Sequence, residues 1–368
     1  MIDSKPLVAV CLTCKNACTT IEYVLQSIAL LKYPKDKLTV IIVDGGSNDN
    51  TVDIARRILN YYGLRYKIVV KPCNIPEGRN EYMTRALEKN VDYIFFVDSD
   101  MVIKDKQILT RLIGYERKYG PCVISASGPA RMFKNLEELK RFANSIIESD
   151  VSDDKLDVKV NAIPWCAMGL TLIHAEVARC VKFDEDMTFA EDKFYGYNVW
   201  RKGYKIFLVS ANIDLAYDVN LPKRGDIYAR MSVRDYLRGL YKKAFATTFT
   251  FYRGSLFKTM YTFLASRSGL RMLFHVTKIL ALVLGLVMLT NPVSWPLGLA
   301  FTMLYATISS LYISRLRLIK CRSIWHAVFS SLKFKLYSIY MLPLVPLIYL
   351  RHKNEFSRIF HRIEDFKP

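Results

Sequence analysis

The chain has 368 residues, 51% of them hydrophobic and 13% aromatic, so it is long enough for more than one folded unit and too apolar to be disordered. Its 53 basic against 34 acidic side chains leave a net charge of +19, which suits a polyanionic partner, either nucleic acid or an anionic membrane surface. Eight cysteines behind a start that runs straight into a short strand pattern (Met1-Ile2-Asp3-Ser4-Lys5), with no long apolar leader, predict a reducing cytoplasmic setting and argue against a disulfide framework.

Up to about residue 215, short apolar runs alternate with helical periodicity, which predicts an α/β domain with a largely parallel sheet. Strands are expected at 7–12, 38–44, 66–70, 93–98, 123–126 and 205–209. Val52, Ala55, Leu59 and Tyr62 share one face of a helix that Gly63 would end, and Ile108, Leu112 and Tyr115 mark another before Gly120. Cys11, Cys14 and Cys18 are spaced like metal ligands, but Cys11 falls inside a strand pattern, so the three read as filler and loop.

Chemistry gathers where strands end. The first strand closes in Thr13-Cys14-Lys15-Asn16, and the second in Val43-Asp44-Gly45-Gly46-Ser47-Asn48-Asp49-Asn50-Thr51, on the same edge of a parallel sheet. Asp44 leaves its strand into two glycines, where the backbone can turn tightly and admit a flat or phosphorylated ligand; its carboxylate can accept from a nucleobase or ribose. The alternative for this loop is a plain turn with Asp49 or Asn50 capping the next helix, a role Asp49 can fill in either case. Gly78-Arg79-Asn80 stands before a helical stretch, and Arg79 is a charge-assisted bidentate donor of the kind that reaches a pyrophosphate, or else ordinary surface charge. Asp98-Ser99-Asp100 closes the apolar run Tyr93-Ile94-Phe95-Phe96-Val97. Two carboxylates there can hold a hard divalent cation that shares its shell with phosphates and water; the bland alternative is a polar turn with Asp100 as a helix cap. Glu191-Asp192 follows Phe189-Ala190 and precedes a helix, 194–201, that ends before Gly203; alone, an acidic pair there complements the helix dipole.

From about Met231 the character becomes aromatic and basic. Arg234, Arg238, Lys242, Lys243, Arg253 and Lys258 lie among Tyr236, Leu237, Tyr241, Phe245, Phe249, Phe251 and Phe257, a pattern for amphipathic helices in a headgroup region. Two apolar stretches, 274–290 and 295–313, separated by Asn291-Pro292-Val293-Ser294, predict a membrane hairpin within 271–350 and rule against nucleic acid as the partner. Arg315, Arg317, Lys320 and Arg322 directly after it place both hairpin ends, and with them the α/β domain, on the cytoplasmic side. A third stretch, 336–350, carries Pro343 and Pro346 and has basic flanks (Lys333, Lys335, Arg351, Lys353), which favours a re-entrant or interfacial segment over a span; 351–368 would be a basic cytoplasmic tail.

Taken in order, Asn16, the loop from Val43 to Thr51, Gly78-Arg79-Asn80, Asp98-Ser99-Asp100, Glu191-Asp192 and Arg201-Lys202-Gly203-Tyr204-Lys205 resemble the family 2 glycosyltransferases with the GT-A nucleotide-sugar fold, over roughly residues 6–215. The resemblance implies a Rossmann-like GT-A domain over 1–220, followed by interfacial helices (221–270) and an α-helical membrane region. It implies a UDP- or GDP-sugar donor held by Thr13, Asn16, Asp44, Arg79, Asp98 and Ser99. It also implies Mg²⁺ or Mn²⁺ on Asp98 and Asp100, and Asp192, with Glu191, beside the acceptor. Ala17 and Gly45 stand where relatives often carry acidic residues, and Tyr217-Asp218 occupies the region of a metal-assisting His. No Gln-x-x-Arg-Trp follows the acidic pair, which points to single transfer. The architecture resembles the polyprenyl-phosphate glycosyltransferases, implying a lipid acceptor such as polyprenyl (dolichyl) phosphate and net inversion. Extension of a lipid-linked oligosaccharide or glycolipid hydroxyl is the second expectation, and a non-catalytic membrane binding module a remote third.

Overall fold

The computed structural model describes residues 5–366 apart from 127, 150–156, 188, 213, 221–238, 291–292 and 320–323. The chain divides into two compact units, Met1–Leu221 together with Arg358–Pro368, and Pro222–Ser357.

In the first unit the elements follow as β1 (Val8–Cys14), α1 (Ile21–Ala29), β2 (Leu38–Asp44), α2 (Thr51–Tyr61), β3 (Tyr66–Val70), α3 (Ile75–Leu87), β4 (Tyr93–Val97), β5 (Met101–Ile103), α4 (Ile108–Tyr119), β6 (Cys122–Ala126), β7 (Ala130–Met132), α5 (Leu136–Glu148), β8 (Val158–Ala162), β9 (Leu170–His174), α6 (Ala175–Cys180), α7 (Glu191–Arg201), β10 (Lys205–Ala211) and β11 (Ala216–Asn220). The main sheet has the order β3-β2-β1-β4-β9-β6-β10-β8. β1 lies between β2 and β4, parallel to both, and β4 is buried throughout, as a run of Tyr-Ile-Phe-Phe-Val covered on both faces must be. The ends of β1, β2 and β4 therefore open on one edge.

All six expected strands are present, but the sheet is mixed. β9 runs antiparallel between β4 and β6, and β8 runs antiparallel to β10. Leu170-Thr171-Leu172-Ile173-His174 is short and lacks alternation, so neither its presence nor its direction shows in the sequence. A second sheet, β5-β11-β7, is built from strands of three to five residues. Its register pairs Asp218 with Met101, and Val219 N donates to the Asp100 carbonyl at 2.8 Å, so β11 clamps the turn that follows β4.

The helix boundaries have local causes. α2 buries Ala55 and Leu59 and stops before Gly63, whose φ of 65° only glycine adopts freely; α4 stops likewise at Gly120, φ 77°. α3 begins earlier than the sequence suggests, because Asn74 and Glu77 form a reciprocal capping box around Pro76. Gly78-Arg79-Asn80 thus lies inside a helix instead of before it. Glu191-Asp192, likewise, occupies the first turn of α7.

The second unit contains α8 (Leu240–Phe251), α9 (Leu256–Ala265), α10 (Arg267–Leu289), α11 (Trp295–Ile319) and most of α12 (Ile324–Glu364). Among the described residues one helix is long and apolar enough to cross a membrane, Gly269–Leu289, with a mean hydropathy of 2.2. The expected second span folds as α11, but its apolar part, Pro296–Tyr312, is shorter than that. Leu280 and Val287 are 62% and 61% exposed, unlike residues of a soluble core helix. α10 and α11 approach closely at two glycines: a Cβ on Gly298 would stand 2.7 Å from the Gly285 carbonyl oxygen.

The third apolar stretch shows no re-entrant break. α12 runs through Pro343 and Pro346 and buries Met341, Val345 and Ile348, while Tyr349 donates to the Gly254 carbonyl at 2.8 Å. Packing of this face and that tie offset the hydrogen bonds the prolines cannot make. Lys320, Arg322, Arg234 and Arg238, on which the orientation and part of the interfacial reading rest, lie outside the described residues.

Two glycines should respond oppositely to substitution. Gly114, inside α4 with open space where a Cβ would go, should gain about 0.5–1 kcal/mol on Gly114→Ala. Gly298→Val should instead destabilise the second unit by forcing α10 and α11 apart. Thermal unfolding in detergent checks both, and an equal response at the two positions would contradict this packing.

Candidate active site

Two loops are knitted at the ends of β1 and β2. Asn16, held at φ 53°, donates its backbone N–H to Ser47 Oγ at 2.7 Å, and its side chain accepts from Asn48 N at 2.9 Å. Ala17 N donates to Thr51 Oγ1 at 2.8 Å, and Cys18 N to Asp49 at 3.3 Å. Asp49 also accepts from Thr51 N, tying down the start of α2.

Asp44 organises this loop from inside. Its carboxylate is fully buried, accepting from Gly46 N at 3.1 Å and Ser47 N at 2.8 Å on one oxygen, with Ser47 Oγ and the Cys14 thiol on the other. In this geometry the expected base contact from Asp44 is not presented outward. The carboxylate shapes the loop backbone, and Asn16 and Lys15 are the exposed groups at its rim.

A second cluster forms where β4, α3 and α7 converge. Gly78 sits so close to β1 that a Cβ would lie 2.8 Å from Thr13 Cγ2, which brings the first turns of α3 against the strand end. Arg79, one residue on, is carried inward. Its guanidinium is 7% exposed, bonds Glu191 Oε1 at 2.9 Å, lies 3.7 Å from Asp98 Oδ1, and sits 5.3 Å from the centroid of the Phe183 ring. Arg79 Nε is buried without a hydrogen-bond partner among the described residues. The expected diphosphate donor is therefore occupied by carboxylates: Arg79 is a cross-link between the Asp98 turn and the head of α7.

Asp98 is anchored through its backbone, N–H to the Gly169 carbonyl at 3.0 Å, while its side chain stays 42% exposed. Ser99 accepts on its carbonyl from Thr20 Oγ1 at 2.7 Å, a backbone contact that ties this turn to the start of α1. Asp100 is fixed by β11 as described above. No group of three His, Cys, Asp or Glu side chains arranged to hold a metal occurs among the described residues. The donors available at this turn are thus the oxygens of Asp98 and Asp100. That set fits Mg²⁺ or Mn²⁺, hard ions bound through one or two carboxylates with the remaining positions filled by phosphate and water, and fits no ion that needs a complete protein cage.

α7 starts under constraint. Ala190 has φ 60°, a left-handed conformation that costs a non-glycine residue about 1–2 kcal/mol. Gly196 presses on the preceding loop, where a Cβ would come within 2.6 Å of Trp165 Cα, and Trp200 Nε1 donates to the Ile163 carbonyl at 2.9 Å. Burial raises the carboxyl pKa of both Glu191 and Asp192, with Arg79 pulling against it for Glu191 and the charge of Asp192 adding to it. Carboxyls pushed up in this way are better matched to proton transfer near neutral pH.

Phe183, with Tyr195 stacked on it at 4.1 Å, and Gly169 belong to this site and escape sequence reasoning, because none sits in a motif. The Asn74-x-x-Glu77 box was a readable signal that α3 would carry Arg79 inward.

Residues 9–174 match the family model described as Glycosyl transferase family 2, and the domain they build belongs to the family 2 glycosyltransferases. The chain is 31% identical over 96 residues to a probable glycosyltransferase, YdaM, of Bacillus subtilis (26% of this chain, 23% of the relative). It is 28% identical over 130 residues to procollagen galactosyltransferase 1 of Danio rerio (29% and 22%). It therefore spans under a quarter of the length of these relatives. Among solved structures, S. aureus TarS 1–349 in complex with UDP-GlcNAc superposes with a TM-score of 0.50 at 15% identity, covering 90% of each chain, a likeness of fold.

Removing either partner of the buried pair should be costly. Arg79→Met is expected to lose about 3–5 kcal/mol of stability, and Arg79→Met with Glu191→Leu to recover most of it, since the penalty comes from the stranded charge. Asp192→Asn should behave differently. A carboxyl raised in the fold contributes stability that is present below its unfolded pKa and lost as pH rises through the folded one. The Asn variant should therefore melt at or above wild type at pH 8, and the difference should vanish under acid. Melting curves across pH check this, and a lower melting point for Asn at pH 8 would reverse the assignment.

Proposed function

We propose that this protein is an inverting, non-processive glycosyltransferase that moves one hexose from a nucleotide sugar to a membrane lipid, with polyprenyl phosphate as the acceptor. The observation that carries the reading is the convergence of Asp98, Arg79 and Glu191-Asp192 at the carboxyl end of β4, in a domain of the glycosyltransferase family. The lipid side is supported by Gly269–Leu289, apolar and exposed, and by basic and aromatic residues such as Arg253, Phe257, Lys258 and Tyr261 on the surface of the second unit. Catalysis at the cytoplasmic face is part of the same proposal.

The reaction is displacement at the anomeric carbon through an oxocarbenium-like transition state, with a nucleoside diphosphate leaving. Thr13, Asn16 and the loop shaped by Asp44 form the nucleotide side. Asp98 and Asp100 would hold the divalent cation, which when bound supplies Lewis-acid stabilisation to the departing diphosphate. Arg79 acts behind them, keeping the Asp98 turn and Glu191 in register. Asp192, with Glu191, faces the acceptor side. A phosphate acceptor is already largely anionic at neutral pH and needs no base, so there the pair orients it. A hydroxyl acceptor needs its proton removed, and the raised Asp192 carboxyl is suited to that. This favours the second reading, extension of a lipid-linked glycan or glycolipid.

The two readings separate when purified full-length protein is given labelled nucleotide sugars with either bare polyprenyl phosphate or a glycosylated lipid. Product on bare lipid phosphate is expected; product on the glycosylated lipid alone would replace the leading reading. Asp100→Ala should abolish transfer while leaving membrane insertion intact, and wild-type turnover in that variant with Mn²⁺ present would remove the metal assignment. Asp192→Asn should be mild with a phosphate acceptor and severe, about 10²–10⁴-fold, with a hydroxyl acceptor.

A further inference from the structure

The catalytic unit is completed by residues from the far end of the chain. Arg358–Pro368 belong to it, although more than a hundred residues of the second unit intervene. Ile359, Phe360 and Ile363 are buried along one face of the last turns of α12. Phe366 seats between aromatic rings of the sheet and its helix cover, 4.8 Å from Phe207 of β10 and 5.3 Å from Tyr119 at the end of α4, with Lys205 Nζ 4.8 Å from its centroid. Arg362 Nη2 donates to the Trp200 carbonyl at 3.1 Å, and its guanidinium lies 5.9 Å from the centroid of the Trp200 ring.

Trp200 is the penultimate residue of α7, the helix whose first turn is Glu191-Asp192. The last carbonyls of a helix have no partner within it, and a cation there is favoured both as donor and by the helix dipole. Gly203 N gives Trp200 O one hydrogen bond at 3.1 Å, and Arg362 supplies a second, charge-assisted one. α7 is thereby held along its length: Glu191 to Arg79 at its head, Gly196 against the Trp165 backbone at its middle, and at its tail Trp200 Nε1 to the Ile163 carbonyl and Arg362 to the Trp200 carbonyl.

We infer that Arg362 is a positioning residue for the acidic pair, with Phe366 as its anchor: the end of α12 locks α7 along its axis and so sets where Glu191 and Asp192 stand. The inference rests on the reading of that pair as acceptor-side groups. The nucleotide side is built on β1, β2 and β4, whereas the ties described for Arg362 and Phe366 are to α7, β10 and α4, so the effect falls on turnover and not on donor affinity.

The test uses the full-length chain. In Arg362→Gln, hydrogen–deuterium exchange of the α7 amides should rise while β1, β2 and β4 keep their protection. Turnover should fall about tenfold, the loss of one charge-assisted hydrogen bond, with the donor KM and the binding of nucleoside diphosphate with Mn²⁺ unchanged. Arg362→Lys should restore much of the turnover, because an ammonium can still reach the carbonyl. If Arg362→Gln fails to accumulate, Phe366→Leu offers a milder loosening with the same signature. Unchanged exchange in α7, or a loosened α7 with wild-type turnover, would overturn the inference. So would a uniform rise in exchange across the sheet, since Arg362 would then only hold the domain together. Absence of transfer by the wild type to either lipid acceptor would count against the functional reading alone, because the exchange measurement needs no acceptor.

Discussion

The active region depends on one buried cation. A guanidinium removed from water must keep anionic partners close, and Arg79 draws them from two places 93 residues apart in the chain, Asp98 after β4 and Glu191 at the head of α7. Everything that orients Arg79 is structural: the capping box at Asn74 that starts α3, the missing side chain at Gly78 that lets the helix meet Thr13, and the Phe183 ring against the guanidinium. The arrangement fixes two carboxylates relative to each other before any ligand arrives.

The fold around this cation was legible where burial writes continuous apolar runs. β1, β2, β4 and β6, covered on both faces, could be read directly, and the glycines at 63 and 120 marked helix ends. β9 was not legible, because five residues without alternation carry no sign of direction; its antiparallel insertion is a tertiary choice. The strands of the small sheet are three to five residues long, below the length at which periodicity informs.

Within the site, the acidic residues could be found from sequence but not their tasks. Asp44 was visible as a charge leaving a strand into glycines, yet whether its oxygens face outward or fold back on Gly46 and Ser47 is decided by loop closure. Arg79 looked like a phosphate ligand because an arginine before a helix usually points to solvent; three residues of upstream capping moved it inside. The apolar helices show the same division. Hydropathy locates them, but the close approach of Gly285 and Gly298, and the persistence of α12 through two prolines, come from packing.

The stretch that carries the family signature closes at residue 174, the last position of β9, and so contains Thr13, Asp44, Arg79, Asp98 and Asp100 but not Glu191 or Asp192. The two stretches are joined by the Arg79–Glu191 ion pair. On the proposed reading, the donor side lies within this segment and the acceptor side beyond it, on a helix braced by Trp165 and Arg362. On that reading, substitutions confined to α7 and its braces would alter the choice of acceptor while leaving the strand ends of β1, β2 and β4 as they are.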